Sequence, residues 1–221
     1  TLWFAVASVS IELVLGVLAA LLLNQQFYGR TVLRAMMILP WALPTVVNAT
    51  LWRLIYNPEY GAMNAALTQT GIIGTYQSWL GEPVTAMWAI ILADAWKNFP
   101  LVALIALAAL QAVPRDTVAA SLVDGAGAFR RFRYVTLPHL AGPLMVALVL
   151  RTIEAFKVFD IVWVMTMGGP NDSSHTLATY MYRSAFQTDR VGYGAAVAVV
   201  MFALSAVFGI LNLVIQRRGE R

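Results

Sequence analysis

The sequence has no cysteine, only two histidines and few charged side chains, which make up 12% of its 221 residues. The absence of cysteine excludes disulfides and any metal or redox site built on thiolates. A typical soluble domain is about a quarter charged and about half apolar, whereas 60% of these residues are hydrophobic. The composition therefore excludes an ordinary soluble domain.

Long apolar runs are the main feature of the chain. Residues 3–23 contain a single charged side chain, Glu12, and a helix of about 20 apolar residues is long enough to cross the hydrocarbon core of a bilayer. Further apolar runs follow at 31–56, 84–110, 141–167 and 192–216. The sequence therefore predicts an all-α membrane protein, a helical bundle with five spans forming a single transmembrane domain over residues 1–221.

Basic residues are distributed unevenly among the connections between these runs. They concentrate in the first, third and last connections, at Arg30, Arg34, Arg115, Arg130, Arg131, Arg133, Arg217, Arg218 and Arg221. Connection 57–83 has no Lys or Arg, and connection 168–191 has only Arg183 and Arg190. Because cytoplasmic loops carry the excess of Lys and Arg, the first, third and last connections are predicted to be cytoplasmic. Residue 1 then lies outside, and we expect a sixth span before it in the intact protein.

Motifs of several enzyme classes are also missing. No GxxxxGK[ST] phosphate-binding loop occurs, so we expect no ATP binding by this chain itself. His139 and His175 are predicted on opposite sides of the membrane and therefore do not share a metal. No clustered nucleophile and base is evident. We predict that the chain is not an enzyme and holds no metal or cofactor, and that its basic charge reports topology and not nucleic-acid binding.

Charged side chains occur inside the predicted fourth span. Arg151, Glu154, Lys157 and Asp160 follow one another at three-residue spacing, and each charge costs about 2.5 to 3.5 kcal/mol near the bilayer centre. The spacing allows ion pairs along the helix but spreads the four side chains over half its circumference. We expect either ion pairs that fix helix packing or side chains that line a water-filled route.

The third span has a similar polar segment, "ADAWKNFPL", at 93–101. Pro100 is predicted to kink the helix, and broken helices at membrane depth usually line cavities. Trp96 and Asn98 are suited to a sugar, because an aromatic ring stacks on its C–H surface and an amide reaches its hydroxyls. Asn48, Trp52 and Arg53 of the second span are weaker candidates.

A long polar connection, 111–142, separates the third and fourth spans. Asp116 is predicted to cap a short helix that ends near Leu122, and Gly125 and Gly127 allow a sharp turn. A second short helix is expected at 128–136. Connections of two to eight residues suffice between bundle helices, so this helix-turn-helix indicates a partner on the cytoplasmic side.

The stretch "AASLVDGAGAFRRFRYVTLPHL" resembles the cytoplasmic loop of permease subunits of bacterial binding-protein-dependent ABC importers. That loop reads Glu-Ala-Ala, three residues, Gly, nine residues, Ile, one residue, Leu-Pro. Gly125, Val135 and Leu137 with Pro138 fit this spacing, whereas Ala119 replaces the glutamate. The segments "LQAVPRD", "TMGGP", "TLATYMYRSAF" and "GYGAAVA" are similar in order and spacing to the maltose-type, carbohydrate-importing branch, and the overall likeness suggests trehalose or another disaccharide.

The resemblance implies an ABC importer permease fold in the bacterial inner membrane. It implies that the loop is a coupling helix seated on a separate ATP-hydrolysing subunit, through Ala119, Ala120, Ser121, Asp124, Gly125 and Ala126. Asp124 is our own addition, as a substitute for the missing glutamate charge. The implied sugar-contacting positions are Lys97, Asn98, Leu101, Arg151, Ala155 and Val158, to which we add Trp96 and Glu154.

The implied partners are a homologous second permease, two ATP-binding subunits that hold ATP and Mg, and an extracytoplasmic substrate-binding protein. The implied mechanism is alternating access, in which ATP binding and hydrolysis by the partners open the route to one side and then to the other. The two short amphipathic stretches in the outer connections either cap the bundle or dock a partner.

Other functions are less well supported. An ion-coupled secondary transporter of a polar solute usually shows two related halves, and this chain has no internal repeat. The segment "VGYG" at 191–194 matches part of a potassium filter, but Arg190 beside it would repel a cation. A requirement for ATP with the ion gradient collapsed would separate the importer from the secondary transporter.

Overall fold

The structure is a computed structural model that describes residues 1–219, with side chains described as far as Leu211 except that of Arg115. Every regular element of this part of the chain is helical. The helices are α1 Leu2–Asn24, α2 Arg30–Ala42, α3 Thr45–Ile55, α4 Ala62–Gln69, α5 Pro83–Gln111, α6 Arg115–Val123, α7 Ala128–Arg131, α8 Leu137–Phe156, α9 Asp160–Thr166, α10 Leu177–Tyr182 and α11 Val191–Gly219. Wider, π-helical turns follow α7 at Phe132–Thr136 and α10 at Arg183–Gln187.

Four helices are long and apolar enough to cross a membrane, and a bent pair supplies a fifth span. The four are Leu2–Asn24, Pro83–Gln111, Ala128–Phe156 and Val191–Leu211. The pair is α2 and α3, whose axes differ by 99°. This confirms the predicted all-α polytopic bundle, with five spans when the bent pair is counted as one.

The break in the second span follows from one proline. Leu43 has φ −71° and ψ 136°, an extended conformation, because the ring of Pro44 disfavours the helical region for the residue before it. The chain turns there and resumes as α3. A single span was predicted over 31–56 because the apolar run is continuous across Pro44.

The third and fourth spans also differ from the prediction. α5 continues through Pro100 as one helix, so the polar segment of the third span lies on an unbroken helix. α7, the wide turn and α8 form a continuous helical segment over Ala128–Phe156, which contains Pro138 and Pro143. The break lies at Lys157–Phe159, where no proline or glycine marks it.

The core forms where α1 packs lengthwise on α5, with α8 alongside. Gly16 permits this close approach, because a Cβ on it would lie 2.6 Å from a Val102 side-chain atom. One apolar cluster includes Phe4, Ile90 and Phe156, and a second lies towards the other end of the bundle. The polar residues of α1, α5 and α8 meet between these clusters.

The two outer connections fold as short helices. α4 forms in the first, and α10 with its wide turn forms in the second. The sequence predicts an apolar face of Leu177, Tyr180, Met181, Ser184 and Ala185 for the second connection. This is wrong in part, since Tyr180 is exposed while Ser184 and Ala185 are buried. Thr176, and not the apolar periodicity, sets the start of α10: its side chain accepts a hydrogen bond from the amide of Thr179.

Candidate functional site

A polar cavity of about 320 Å³ lies among α2, α3, α5, α8 and α9. Both helix breaks contribute to it, as does the polar segment of α5. Its lining consists of Trp41, Thr45, Asp94, Lys97, Asn98, Arg151, Glu154, Ala155, Lys157, Val158, Phe159, Asp160 and Ile161. Small-molecule sites in proteins commonly occupy about 300 to 1,000 Å³, so the cavity is of a size to hold a small ligand, and its lining is polar.

The guanidinium of Arg151 is the centre of a buried ion network on one wall of the cavity. Its Nε donates to Oε2 of Glu12 at 2.6 Å, and an Nη donates to Oε1 of the same carboxylate at 2.9 Å. The same Nη lies 3.4 Å from Oδ2 of Asp94, and the other Nη pairs with Glu154. Three helices are therefore joined by one charged group, which is itself nearly inaccessible.

Glu154 differs from the other two acids in its exposure. Its side chain is 53% exposed, whereas those of Glu12 and Asp94 are at most 7% exposed. Glu12 and Asp94 therefore serve as buried partners of Arg151, whereas Glu154 presents its carboxylate to the cavity. The network combines the two expectations for the charged span, because it fixes helix packing and it also lines a cavity.

Asp94 connects the ion network to Asn98. Its Oδ2 accepts a hydrogen bond from Ser8 at 2.7 Å, and its Oδ1 accepts one from Nδ2 of Asn98 at 3.0 Å. The same hydroxyl lies 3.0 Å from Oε1 of Glu12, so its single proton is shared between the two carboxylates, with the shorter contact to Asp94. One turn of α5 thus places a fixed amide in the cavity wall, supported from α1 and α8.

Most of the sequence-predicted cargo residues meet at this cavity. Lys97, Asn98, Arg151, Glu154, Ala155 and Val158 all line it. Trp96 and Leu101 are absent from its lining. Trp96 lies in a separate apolar groove with Phe99 and packs edge-on against Trp52, with ring centroids 5.7 Å apart. The aromatic rings at the cavity are instead those of Trp41 and Phe159.

Sequence reasoning missed Glu12 and Ser8 as parts of this site and gave Asp94 no role. A signal was available, because Glu12 is the one charged residue in the first span and an intramembrane charge usually has a partner of opposite sign. The sequence offers several basic candidates for that partner, and only the packing of α1 against α8 selects Arg151.

The break between α8 and α9 is stabilised from the outer connection. The buried hydroxyl of Thr176 donates to the main-chain carbonyl of Val158 at 2.9 Å, which satisfies an acceptor freed by the break. Gly168 has φ +90°, and a Cβ there would lie 2.1 Å from the ring of His175. The outer connection is therefore packed tightly on itself, and the hydroxyl of Thr176 ties it to the cavity wall.

His175 lies in this connection with both ring nitrogens engaged. Nδ1 lies 3.0 Å from the hydroxyl of Thr179, and Nε2 lies 3.2 Å from an Nη of Arg183. Burial lowers the pKa of His175, and Arg183 acts in the same direction against the opposing effect of Asp172. A neutral ring that accepts from Arg183 and donates to Thr179 fits these contacts.

The connection between the third and fourth spans forms the predicted helix and turn. α6 covers Arg115–Val123 and is followed by Gly125 with φ +69°, which favours glycine. Pro114 is the N-cap of α6, so the prediction that Asp116 caps this helix is wrong. Gly127 has φ −63°, a value that any residue can adopt, so this position does not require a glycine.

The C-terminal end of α6, where the predicted coupling residues lie, is apolar and exposed. Leu122 is 56% exposed and Val123 is 88% exposed, although neither was among the predicted coupling residues. Ala119, Ala120, Asp124 and Gly125 are also exposed, and Ala126 is half-buried. The hydroxyl of Ser121 donates to the carbonyl of Val118, so this side chain bonds within its own helix.

Comparison with known proteins gives a family match over most of the chain. A family model described as "Binding-protein-dependent transport system inner membrane component" matches residues 12–221. The chain is 42% identical over 217 residues to the trehalose/maltose transport system permease protein MalF of Thermococcus litoralis, covering 98% of this chain and 72% of that protein. It is 33% identical to the trehalose transport system permease protein SugA of Mycobacterium tuberculosis, covering 96% and 66%.

Solved structures show the same fold. A bacterial alginate ABC transporter in complex with an alginate-pentasaccharide-bound periplasmic protein contains a chain that superposes with a TM-score of 0.87 at 22% identity. The match covers 98% of this chain and 76% of that one. The MetNI methionine ABC transporter, in an inward-facing conformation, superposes with a TM-score of 0.68 at 18% identity, covering 100% of this chain and 93% of that one.

Proposed function

We propose that this chain, which belongs to the family of binding-protein-dependent transport system inner membrane components, is a permease subunit that passes a sugar across the bacterial inner membrane for an ATP-driven importer. The observation that carries the proposal is the polar cavity walled by three spans at two helix breaks. Irregular backbone inside a membrane domain is tolerated where it lines a route for a polar cargo.

The cavity has the chemistry that a sugar requires. Asn98, Lys97 and Glu154 supply donors and acceptors for hydroxyl groups, and Trp41 and Phe159 supply aromatic surface for C–H faces. The names of the relatives point the same way, since two of them are trehalose or trehalose/maltose permeases. Lys97, Asn98, Arg151, Glu154, Ala155 and Val158 therefore remain our proposed cargo residues, with Trp41 and Phe159 in the aromatic role that we assigned to Trp96.

The partners follow from the same proposal. The exposed tip of α6 seats in a cleft of a separate ATP-binding subunit, with Leu122 and Val123 as the apolar contact and Asp124 beside them. Two such subunits bind ATP and Mg. A second, homologous permease completes the route, and an extracytoplasmic binding protein delivers the sugar to the outer side.

The mechanism is alternating access. Closure of the ATP-binding subunits displaces the coupling segment, and this movement passes along the continuous helical segment 128–156 to Arg151 and the cavity. Because Arg151 joins α1, α5 and α8, the three helices move together. The cavity then opens outward to receive the sugar and inward, after hydrolysis, to release it.

Uptake by the complete complex in proteoliposomes tests the transport proposal. With the binding protein present and ion gradients collapsed by ionophores, we expect uptake of a neutral disaccharide that requires ATP. Uptake that follows an ion gradient and ignores ATP would refute the importer.

Association with the ATP-binding subunits tests the coupling proposal. Deletion of 119–128, or Val123→Asp alone, is expected to reduce the ATP-binding subunits that co-purify with the permease. Phe27→Asp is the matched control, because it places the same charge on an exposed apolar residue of another predicted cytoplasmic connection. Undiminished association of the deletion variant would count against the proposed contact.

A further inference from the structure

The side-chain amide of Asn98 is held in one orientation at the cavity wall. Its Nδ2 donates to Oδ1 of Asp94 and to the main-chain carbonyl of Asp94, both at 3.0 Å. A primary amide has two N–H groups and one carbonyl oxygen, so both donors of Asn98 are used. The flipped amide would set its oxygen against two oxygens that cannot donate, which excludes that orientation.

The remaining polar atom of Asn98 is its Oδ1. Among the residues that the structure describes, none donates a hydrogen bond to it. The residue is 8% exposed and lines the cavity. Because both N–H groups of this amide are already engaged, its carbonyl oxygen is the atom left to accept a hydrogen bond, and a ligand hydroxyl in the cavity would supply the donor.

Asp94 is itself prevented from turning. Its Oδ2 accepts a hydrogen bond from Ser8 of α1 at 2.7 Å and lies 3.4 Å from an Nη of Arg151 of α8. With Oδ2 engaged on one side, Oδ1 is directed at Asn98. Two neighbouring helices therefore determine the orientation of an amide on α5.

We infer that Asp94 is a positioning residue that makes Asn98 present an acceptor, and only an acceptor, to the cargo. The inference rests on the proposed function, because it requires a hydroxyl-bearing ligand in the cavity. It also adds a specificity rule. The cargo group at Asn98 is a hydroxyl that donates, so an ether oxygen or a fluorine at that position is rejected.

The test is a double-mutant cycle on sugar binding to the purified complete complex. Labelled trehalose and maltose are bound without the binding protein, so that the affinity of the binding protein does not enter the measured Kd. Asn98→Ala is expected to weaken binding about tenfold, since one hydrogen bond to a buried acceptor is lost. Asp94→Asn is expected to weaken it about threefold to tenfold, because an asparagine at position 94 can donate and the amide of Asn98 is then free to flip.

The double variant decides between positioning and a general structural role. If Asp94 acts through Asn98, Asp94→Asn adds little in the Asn98→Ala background, and the double variant stays about tenfold weaker. If the two losses multiply towards about a hundredfold, Asp94 acts independently and the inference is wrong. Ser8→Ala removes one hydrogen bond that orients Asp94. We expect it to weaken sugar binding less than Asp94→Asn does, and to have little effect in the Asn98→Ala background.

Fluorinated sugars distinguish a lost hydrogen bond from a folding defect, because a folding defect would weaken the binding of every sugar alike. Each trehalose hydroxyl is replaced in turn by fluorine, which cannot donate. We expect one position to weaken binding about tenfold in the unmodified complex and to have little effect in Asn98→Ala. Equal sensitivity in both complexes would overturn the inference.

The failure of this inference is distinguishable from that of the proposed function. If the unmodified complex takes up none of glucose, sucrose, trehalose and maltose with ATP, the proposed function and this inference both fail. If it binds a sugar but the mutant losses multiply, only the inference about Asp94 fails.

Discussion

Glu12 of α1 and Arg151 of α8 form a two-point ion pair between residues 139 positions apart in sequence. Both side chains are at most 4% exposed. The pair matches the fork of the guanidinium to both oxygens of the carboxylate, the geometry in which such pairs are strongest. It joins the first and fourth spans at the level of the cavity.

Removing one member of this pair is expected to be costly. Glu12→Ala leaves a buried cation short of its principal partner, and we expect the free energy of unfolding to fall by about 3 kcal/mol. Denaturant unfolding of the detergent-solubilised protein measures this. Glu154→Ala is the control, because its half-exposed side chain should contribute less than about 1 kcal/mol.

The triple variant Glu12→Leu, Asp94→Asn and Arg151→Met should recover much of that loss, because it removes all three buried charges of the network and leaves none of them unpaired. If Glu12→Ala and Glu154→Ala have the same free energy of unfolding, the Glu12–Arg151 ion pair contributes less to stability than expected.

Gly16→Ala should weaken the packing of α1 on α5. The new Cβ would lie 2.6 Å from two side-chain atoms of Val102, and relieving such a contact costs about 1 to 3 kcal/mol. Gly142→Ala is the matched control in α8, because no atom lies within 4 Å of its Cβ. Thermal unfolding compares the two, and a loss in Gly142→Ala as large as in Gly16→Ala would contradict the close helix approach.

Thr176→Val tests the support of the break between α8 and α9. Valine keeps the shape but loses the hydroxyl that donates to Val158 and caps α10, so we expect a loss of about 1 to 2 kcal/mol. Thr176→Ser retains the hydroxyl and should stay within about 1 kcal/mol of the unmodified protein. Chemical denaturation followed by tryptophan fluorescence gives both values, and equal losses would show that the hydroxyl is unimportant.

His175 should make the outer connection sensitive to acid. Its pKa is lowered in the folded protein, while the unfolded chain has the ordinary value of about 6.5. The unfolded state therefore binds a proton first, so folding stability is fully present above pH 6.5 and falls as the pH drops below it. Protonation would also set Nε2–H against Arg183.

The measurement is the melting temperature between pH 7.5 and 5.5, compared with that of His175→Gln. We expect the unmodified protein to lose more stability over this interval than the variant. A variant with the same pH profile would show that other groups account for any acid sensitivity.

The spans could be predicted from the sequence because the bilayer imposes a length and a composition on each of them. The same holds for the family, which the match over residues 12–221 confirmed, whereas the direction of the spans, inferred from Arg30, Arg130 and their neighbours, stays a prediction. The breaks were less accessible. Pro44 could have identified the break between α2 and α3. Pro100, in contrast, lies within a helix that continues unbroken, and no proline or glycine marks the break at Lys157–Phe159.

The candidate site was predictable only in part. The polar residues of α5 and α8 stand out in apolar surroundings, and most of them meet at the cavity. Trp96 and Leu101 are the candidates that do not line it, because the direction of a side chain around α5 depends on how the helix is rotated in the bundle. The roles of Ser8 and Asp94 were invisible for the same reason.

Composition and spacing alone thus determined that the chain crosses the membrane and to which family it belongs, since these properties depend on averages and on local order along the chain. The tertiary structure decided which charges meet. A buried charge needs a partner within a few ångströms, and that distance is set by the packing of α1, α5 and α8, which no segment of the sequence contains by itself.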